Sequence, residues 1–532
     1  MQHTSRSWKM WISVFIIFAT CVVLWIPSRW DTMGLIEEWS YYKSFAASSS
    51  EDVDFGVASR PLLFTPFRIG YSLTPHSFFG LNFVSFVVFL LKGCVIFSIG
   101  KLLLRNSAIA FALSLLALLY PANEALLSLR IVVYHVAVLF YLLAVFFALT
   151  FLFRAQFWKG VAIICCIFVS LLSVEVALPL ILLTPIIFLV KNKNRLVTTI
   201  IWYIAPAIVV IYLITLLLTG NLKYQSALME SSAGSNQMFS YAFHTIRAYK
   251  RVLLDSWVNN INISHYSLQY IFWGLLTAIS SGITIYLQNT SEMIRQKKLL
   301  VVIGLSLIFV GFMMFLPTPH RVSNDYVFVV STLGGSILVL VALDFCLREI
   351  LNSNLLFSLG VGVFIFIATV SNLQQHDHLY DVSQRQAHVL LDIMKYAPII
   401  ERGNLLLIFD DTKMVNDNWM FGTPYGNAHF TDAIRFVLQD GDFQAFLCYP
   451  ERPDYATPCV LYPDGVSVTS VVINRNFFAY KDVLALRIHA NYEVTLDETW
   501  YSDSERASIY LQIKQAPHHF YTNEQMLKNL IS

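Results

Sequence analysis

The sequence predicts a polytopic α-helical membrane protein with a small α/β domain at its C-terminal end. Three observations predict it. Of 532 residues, 56% are hydrophobic and only 13% are charged, too few to clothe a soluble core of this length in polar surface. The apolar residues gather in long runs, many near or above the roughly 18 needed to cross a bilayer. After about Gln374 the runs shorten and turn residues separate them, which is the pattern of strands rather than spans. A formal net charge of +2 gives no electrostatic ground for a nucleic-acid partner.

Eleven spans are expected, roughly 11–27, 81–100, 107–121, 132–153, 160–174, 177–190, 197–218, 266–287, 299–316, 326–346 and 355–373. Arg6 and Lys9 precede the first, but no small-x-small cleavage site closes it, so a retained helix is expected rather than a signal peptide. The third, fifth and sixth lie close to the lower length limit, where tilting or partial insertion becomes an option. Lys101 and Arg105, Arg154 and Lys159, Lys191, Lys193 and Arg195, Arg295, Lys297 and Lys298, and Arg348 alternate to the side that holds Arg6 and Lys9. The positive-inside rule makes that side cytoplasmic. The N-terminus is then cytoplasmic, while an odd number of spans puts the C-terminal domain outside, along with the loop from Ser28 to Pro61.

Three outer segments are long enough to build something: 28–80, 219–265 and the tail. In the second, Met238, Phe239, Tyr241, Phe243, Ile246, Val252, Leu253, Leu254 and Trp257 alternate with His244, Arg247, Lys250 and Arg251. Near-helical spacing predicts an amphipathic helix, lying on the membrane surface or packed on the other outer loops. Asn262-Ile263-Ser264 matches a glycosylation sequon. In the tail, Val382 to Ala397 reads as a helix, and 404–409, 466–473 and 483–488 read as strands, with Pro463-Asp464-Gly465 as a turn. Asp410-Asp411 fits an acidic metal or nucleotide-sugar pair, though two acids after a strand are more often a solvated turn. Of seven cysteines, five lie in apolar runs. Cys448 and Cys459 bracket a short Pro-rich segment that a disulfide could close, which would mark an oxidising compartment; two unrelated thiols is the other reading.

Chemistry is sought among the outer charges, because ionisable groups at a bilayer are costly and tend to be paired or functional. The opening loop supplies Asp31, Glu37, Glu38 and Arg60. Later outer turns supply Glu124 and Arg130 (with Tyr134 and His135 just beyond), Glu175, and His320-Arg321 followed by Asp325-Tyr326. Lys92 stands in mid-span, where an acid inside the bundle is its expected partner. Any one of these is as readily an interhelical ion pair or an interfacial anchor; the set says more than its members. Sugar transfer from a lipid phosphate needs a carboxylate to take the acceptor proton. It also needs cations to hold the leaving phosphate, and an apolar bundle beside the donor's polyprenyl chain.

The order of short motifs adds a resemblance. Asp31 follows the first span, and Ser59-Arg60-Pro61-Leu62 leads into Gly80-Leu81-Asn82. Next come Tyr120-Pro121-Ala122-Asn123-Glu124-Ala125 through Arg130, then Leu172-Ser173-Val174-Glu175-Val176-Ala177-Leu178-Pro179, then His320-Arg321 and Tyr326. In this order, over about residues 10–350, the chain resembles GT-C-type membrane glycosyltransferases, particularly the protein O-mannosyltransferase relatives and their bacterial counterparts. It departs from them at Val174-Glu175, where the family often has Lys-Glu, at Pro121-Ala122-Asn123, where a Pro-x-His segment is common, and at Asp31, a single acid where two are common.

The extracytoplasmic α/β domain over 374–532 is read from the residues and the topology; the resemblance implies a GT-C-like catalytic module over 1–373 and a polyprenyl-phosphate sugar as donor. It implies Asp31 as the catalytic base and Glu37 or Glu38 as a second acid that orients the acceptor or binds a metal. Arg60, Arg130, His320 and Arg321 would hold the donor phosphate, with Glu124 and Glu175 as supporting acids. No cofactor is assured and a divalent cation stays open. The partners are the donor, membrane lipid and an acceptor the sequence leaves unspecified; a bacterial plasma membrane is expected ahead of the endoplasmic reticulum. Two other classes compete. A transporter or flippase of a lipid-linked or anionic substrate would line its path with the same charges, but residues 1–190 and 197–373 show no corresponding halves. A non-catalytic scaffold would tolerate changes at Asp31 and Arg60.

Overall fold

A computed structural model describes residues 2–27, 30–46, 60–189, 194–219, 237–261, 266–288, 294, 296–323, 326–399, 404–412, 420–421, 428–439, 443–449, 459–468, 477–515 and 527–528. Arg29, Lys191, Lys193, Arg295, Asp325 and the sequon at 262–264 lie outside the described residues. The chain forms two compact units. The first comprises Met1–Pro27, Asp54–Pro66 and Val84–His376; the second comprises Ser28–Val53, Phe67–Phe83 and Asp377–Ser532.

Among the described residues, six helices are long and apolar enough to cross a membrane: Trp8–Trp25, Phe79–Leu104, Leu129–Phe153, Arg195–Leu218, Leu268–Gln288 and Asn354–Met394. The chain is therefore a multi-pass membrane protein by length and composition. Phe157–Ser173 and Glu175–Ile186 form a seventh candidate, bent by 118°. The break has a local cause: Val174 is extended (φ −155°, ψ 141°), and Pro179 at the start of Leu178–Leu183 has no N–H to continue the ladder.

Length and composition bear out six or seven of the eleven expected spans among the described residues. The difference lies in short helices, which an apolar window does not separate from spans. Ser107–Leu119 has 13 residues, about 20 Å of helix against the roughly 30 Å of a hydrocarbon core. It is capped by Asn106, whose side chain accepts from the N–H groups of Ala108 and Ile109, and it is buried on nearly every side. Lys297–Met313 and Ser331–Leu343 have 17 and 13 residues, the latter continuing as a π-helical turn, Asp344–Ile350. These two cross closely: a methyl on Gly334 would overlap the carbonyl oxygen of Gly304, the small-residue packing that replaces hydrophobic drive between helices in lipid. Asn354–Met394 runs 41 residues unbroken, so the expected span 355–373 and the expected tail helix are one element.

Among the described residues the second unit has seven short strands: β1 (Leu405–Asp410), β2 (Gln444–Cys448), β3 (Cys459–Tyr462), β4 (Gly465–Val468), β5 (Phe477–Ala479), β6 (Val483–Ile488) and β7 (Val494–Leu496). The main sheet has the order β2-β1-β6-β7, with β1 parallel to both β2 and β6 and β7 antiparallel at the edge. The helix Ala428–Leu438 lies in the crossover from β1 to β2. Leu405 to Ile408 are fully buried, as a central parallel strand requires. The antiparallel sheet β3-β4-β5 shares a core with the first through Leu407, Phe409, Phe446, Val466, Val468 and Phe478. A disulfide joins Cys448 to Cys459.

The opening loop belongs to this second unit as far as Val53, and from Asp54 onward to the first. Met33 donates its N–H to Ser383 Oγ at 3.2 Å, and Gln386 donates to the Leu35 carbonyl at 3.2 Å. Asn82 donates to the Thr32 carbonyl at 2.8 Å. Trp39 and Tyr42, on the helix Glu38–Ala46, pack on Phe78 at 5.2 and 4.2 Å and on Phe436, each at 6.0 Å. The second unit thus takes in residues 28–53 and 67–83 besides the tail that sequence composition set apart at 374.

Candidate functional site

In the first unit, the expected outer residues gather on Tyr326. Arg130 sits in the short 3₁₀ turn Leu129–Ile131 that opens the helix Val132–Phe153, and Asn123 Oδ1 ties the same connection down by accepting from Phe328 N–H at 3.0 Å. The Arg130 guanidinium lies 5.5 Å from the centroid of the buried Tyr326 ring, within cation–π range. Tyr134 packs on the same ring at 4.8 Å and Phe315 meets it edge-on at 5.9 Å. The Tyr326 hydroxyl is 3.0 Å from His320 Nδ1. Arg130 and His320, far apart in sequence, therefore share one tyrosine.

Arg321, next to His320 in the 3₁₀ turn Pro319–Val322, donates to the carbonyls of Thr318 at 3.3 Å and Leu316 at 3.5 Å and so closes its own turn. A residue that sequence reasoning did not place holds that turn from outside. Arg247, on the helix Gln237–Lys250, donates to the carbonyls of Arg321 at 3.1 Å and Val322 at 2.6 Å. His244, one turn earlier, lies beside both arginines. Burial first, and then the charges of Arg321 and Arg247, hold its imidazole below the usual histidine range, so it is neutral at pH 7 and keeps one donor and one acceptor nitrogen. The signal that could have found Arg247 is a helix segment with basic residues and no acid to neutralise them.

The other first-unit residues are differently engaged. Arg60 Nε reaches both oxygens of Glu175, at 3.0 and 2.8 Å, beside the backbone bond from Leu62 N–H to the Leu172 carbonyl. Glu124 pairs with Arg251 at 3.1 Å, and Arg251 also donates to the Ala122 carbonyl. Lys92 meets an imidazole rather than the expected acid: its Nζ is 3.1 Å from His135 Nδ1 and 4.5 Å from the Phe89 ring. His135 Nε2 lies 2.9 Å from the Leu126 carbonyl. This fixes the tautomer, since only an Nε2–H can donate to that oxygen and leave Nδ1 to accept from the lysine.

Asp31, Glu37 and Glu38 lie in the second unit. Asp31 is half-buried, and burial raises its carboxyl pKa above the usual aspartate range. Glu38 is almost fully buried and accepts from Ile36 N–H at 3.0 Å. It occupies the first turn of Glu38–Ala46, where the helix dipole favours a carboxylate. One turn on, burial and then the Glu38 charge push the Tyr42 hydroxyl up. Ser40 donates to Asp432 Oδ2 at 2.6 Å and lies 3.2 Å from His429 Nδ1, pinning this helix to Ala428–Leu438. Asp410 accepts from Thr412 and from Tyr449, and Asp411 pairs with Arg487, contacts that suit a turn. Among the described residues, no three His, Cys, Asp or Glu side chains gather closely enough to hold a metal ion.

The two groups divide the chemistry. The first unit offers guanidinium, imidazole and phenol groups, suited to an anionic oxygen group such as a phosphate. The second offers a carboxyl group whose basicity is raised, suited to taking a proton. No protein-family model matches the chain, and no curated protein matches it.

Proposed function

We propose that the chain is a GT-C-type membrane glycosyltransferase that moves a sugar from a polyprenyl-phosphate donor to an acceptor hydroxyl outside the cytoplasm. The observation that carries this reading is the meeting of Arg130 and His320 on Tyr326, with Arg321 in the adjacent turn that Arg247 clamps. In the proposed reaction Asp31 takes the acceptor proton as the acceptor oxygen bonds to the anomeric carbon. The bond from that carbon to the phosphate oxygen breaks, and the polyprenyl phosphate leaves with the electron pair. Arg130, Arg321 and His320 stabilise the charge that builds on it. Arg60, paired with Glu175, is a further candidate for the donor phosphate, Glu37 or Glu38 is the second acid that orients the acceptor or binds a metal, and Glu124, paired with Arg251, and Glu175 are supporting acids.

The proposed topology has eleven crossings, counting the bent pair as two and adding the shorter apolar helices. It places the N-terminus in the cytoplasm and residues 374–532 outside, in a bacterial plasma membrane. The Cys448–Cys459 bond supports an oxidising location for that region.

The test is a transfer assay with purified protein in lipid, a panel of radiolabelled polyprenyl-phosphate sugars and a membrane extract as acceptor source. Transfer from at least one donor, lost in Arg130→Met, is expected. Movement of a labelled lipid across the bilayer with no sugar transferred from any donor would make the chain a flippase instead.

A further inference from the structure

The helix Gln237–Lys250 is mounted the wrong way round for a helix of a water-soluble surface. Two of its polar side chains are held by the protein. Arg247 bonds the carbonyls of the Pro319–Val322 turn, and the Tyr249 hydroxyl donates to the Leu305 carbonyl at 2.8 Å. Between them Ala248 is 2% exposed. On the opposite face, at helical spacing, Phe239, Phe243 and Ile246 are 85%, 65% and 68% exposed, and Lys250 falls in the same row. Leu254, Val258 and Ile261 extend the exposed apolar surface beyond the helix. A face of this kind left in water would cost about 25 cal/mol for each Å² of apolar surface.

The chain itself says what covers it. The flanking helices, Arg195–Leu218 and Leu268–Gln288, are both of membrane-spanning length, so a segment joining consecutive spans stays at one face of the bilayer. The helix carries Arg247, Lys250 and His244 and no acid. Lys250 is well exposed, though it lies 3.5 Å from Asp255, and Arg251 pairs with Glu124. An apolar row that ends in a lysine complements the boundary between acyl chains and anionic headgroups, with the lysine stem lying along the apolar surface and its ammonium among phosphates.

We propose that Phe239, Phe243 and Ile246 dock the helix Gln237–Lys250 into the headgroup–acyl boundary of the protein's own membrane. The lipid surface then fixes the depth of Arg247, and through its two carbonyl bonds the depth of the His320-Arg321 turn. The docking stands independently of the sugar-transfer reading, because it rests on exposure, charge and the flanking spans.

A fluorescent amino acid replacing Phe243, and separately Phe239, in the full chain tests it. Each variant is reconstituted in nanodiscs of phosphatidylcholine and phosphatidylglycerol, with helical circular dichroism and monodisperse elution as the check on folding. Lipids brominated near the headgroup end of the acyl chain are expected to remove roughly half of the emission, since such a face sits about 5–10 Å into the boundary. Aqueous iodide is expected to leave emission unchanged. Quenching by iodide as strong as for the free amino acid, with no effect of bromine, overturns the proposal. So does protection from both quenchers: if lifted by diluting protein with lipid it shows a second copy on this face, and if not, a cover from the same chain.

Discussion

Replacing Asp344 is expected to cost far more than a surface ion pair is worth. Asp344 is fully buried and opens the π-helical turn Asp344–Ile350. Its Oδ1 accepts from Arg348 Nη1 at 2.8 Å, and its Oδ2 lies 3.0 Å from Lys297 Nζ and 3.3 Å from Ile294 N–H. Arg348 is buried as well, with Nε donating to Asn354 at 3.0 Å and its guanidinium 5.3 Å from the Phe357 ring centre. Losing Asp344 therefore removes a buried carboxylate from two cations at once, Lys297, which also pairs with Glu349, and the buried Arg348. Breaking a buried pair from one side costs about 3–5 kcal/mol, whereas replacing both partners with apolar groups is often neutral or mildly stabilising. Asp344→Asn is no remedy, because one carboxylate oxygen becomes an NH₂ facing a cation. Unfolding in mixed micelles should therefore show Asp344→Leu losing about 3–5 kcal/mol, and Asp344→Leu with Arg348→Met regaining most of it. A single variant costing under about 1 kcal/mol, the range of exposed pairs, or a double variant no better than the sum of the singles, would refute the reasoning.

Transfer should depend on pH through Asp31, which acts as a base only when deprotonated. Burial raises its pKa, so kcat/KM should fall on acidification at a higher pH than the roughly 3.9 of a free aspartate would give; a limb at or below that value would speak against Asp31 as the base. Arg247→Lys keeps the charge but cannot span two carbonyls. A cost of about 1–2 kcal/mol in unfolding is expected together with a roughly tenfold fall in kcat/KM, and unaltered kinetics would remove the clamp. Replacing Cys448 and Cys459 with serine opens a loop of sequence separation 11. It should cost the second unit about 2–3 kcal/mol in chemical unfolding, and no change would mean that the loop is held by other contacts.

Legibility followed the range of the interactions. Hydropathy marked the long spans, because a run such as Val132–Phe153 is apolar whatever its neighbours. It does not separate full spans from Ser107–Leu119, which is short and buried, or from the two segments that Val174 and Pro179 fold into a bent pair. β1 was visible as a local apolar run. The membership of the opening loop was not, since Met33–Ser383, Leu35–Gln386 and Ser40–Asp432 join residues hundreds of positions apart. At the site, sequence supplied Arg130, His320 and Arg321 one by one. That Arg130 and His320 share Tyr326, that Arg60 is held by Glu175, and that Arg247 clamps the Arg321 turn are facts of tertiary geometry, and no periodicity encodes them. Lys92 announced a partner, yet only the fold named His135.

The central claim is that the chain transfers sugar with Asp31 as its base. The most direct measurement compares wild type, Asp31→Asn, Glu37→Gln and Glu38→Gln in one polyprenyl-phosphate sugar transfer assay, with circular dichroism and elution confirming that each inserts and folds. The account predicts that Asp31→Asn alone abolishes transfer, by about 10²–10⁴-fold as for loss of a general base, while the two glutamine variants keep a measurable rate. Full transfer by Asp31→Asn would contradict it.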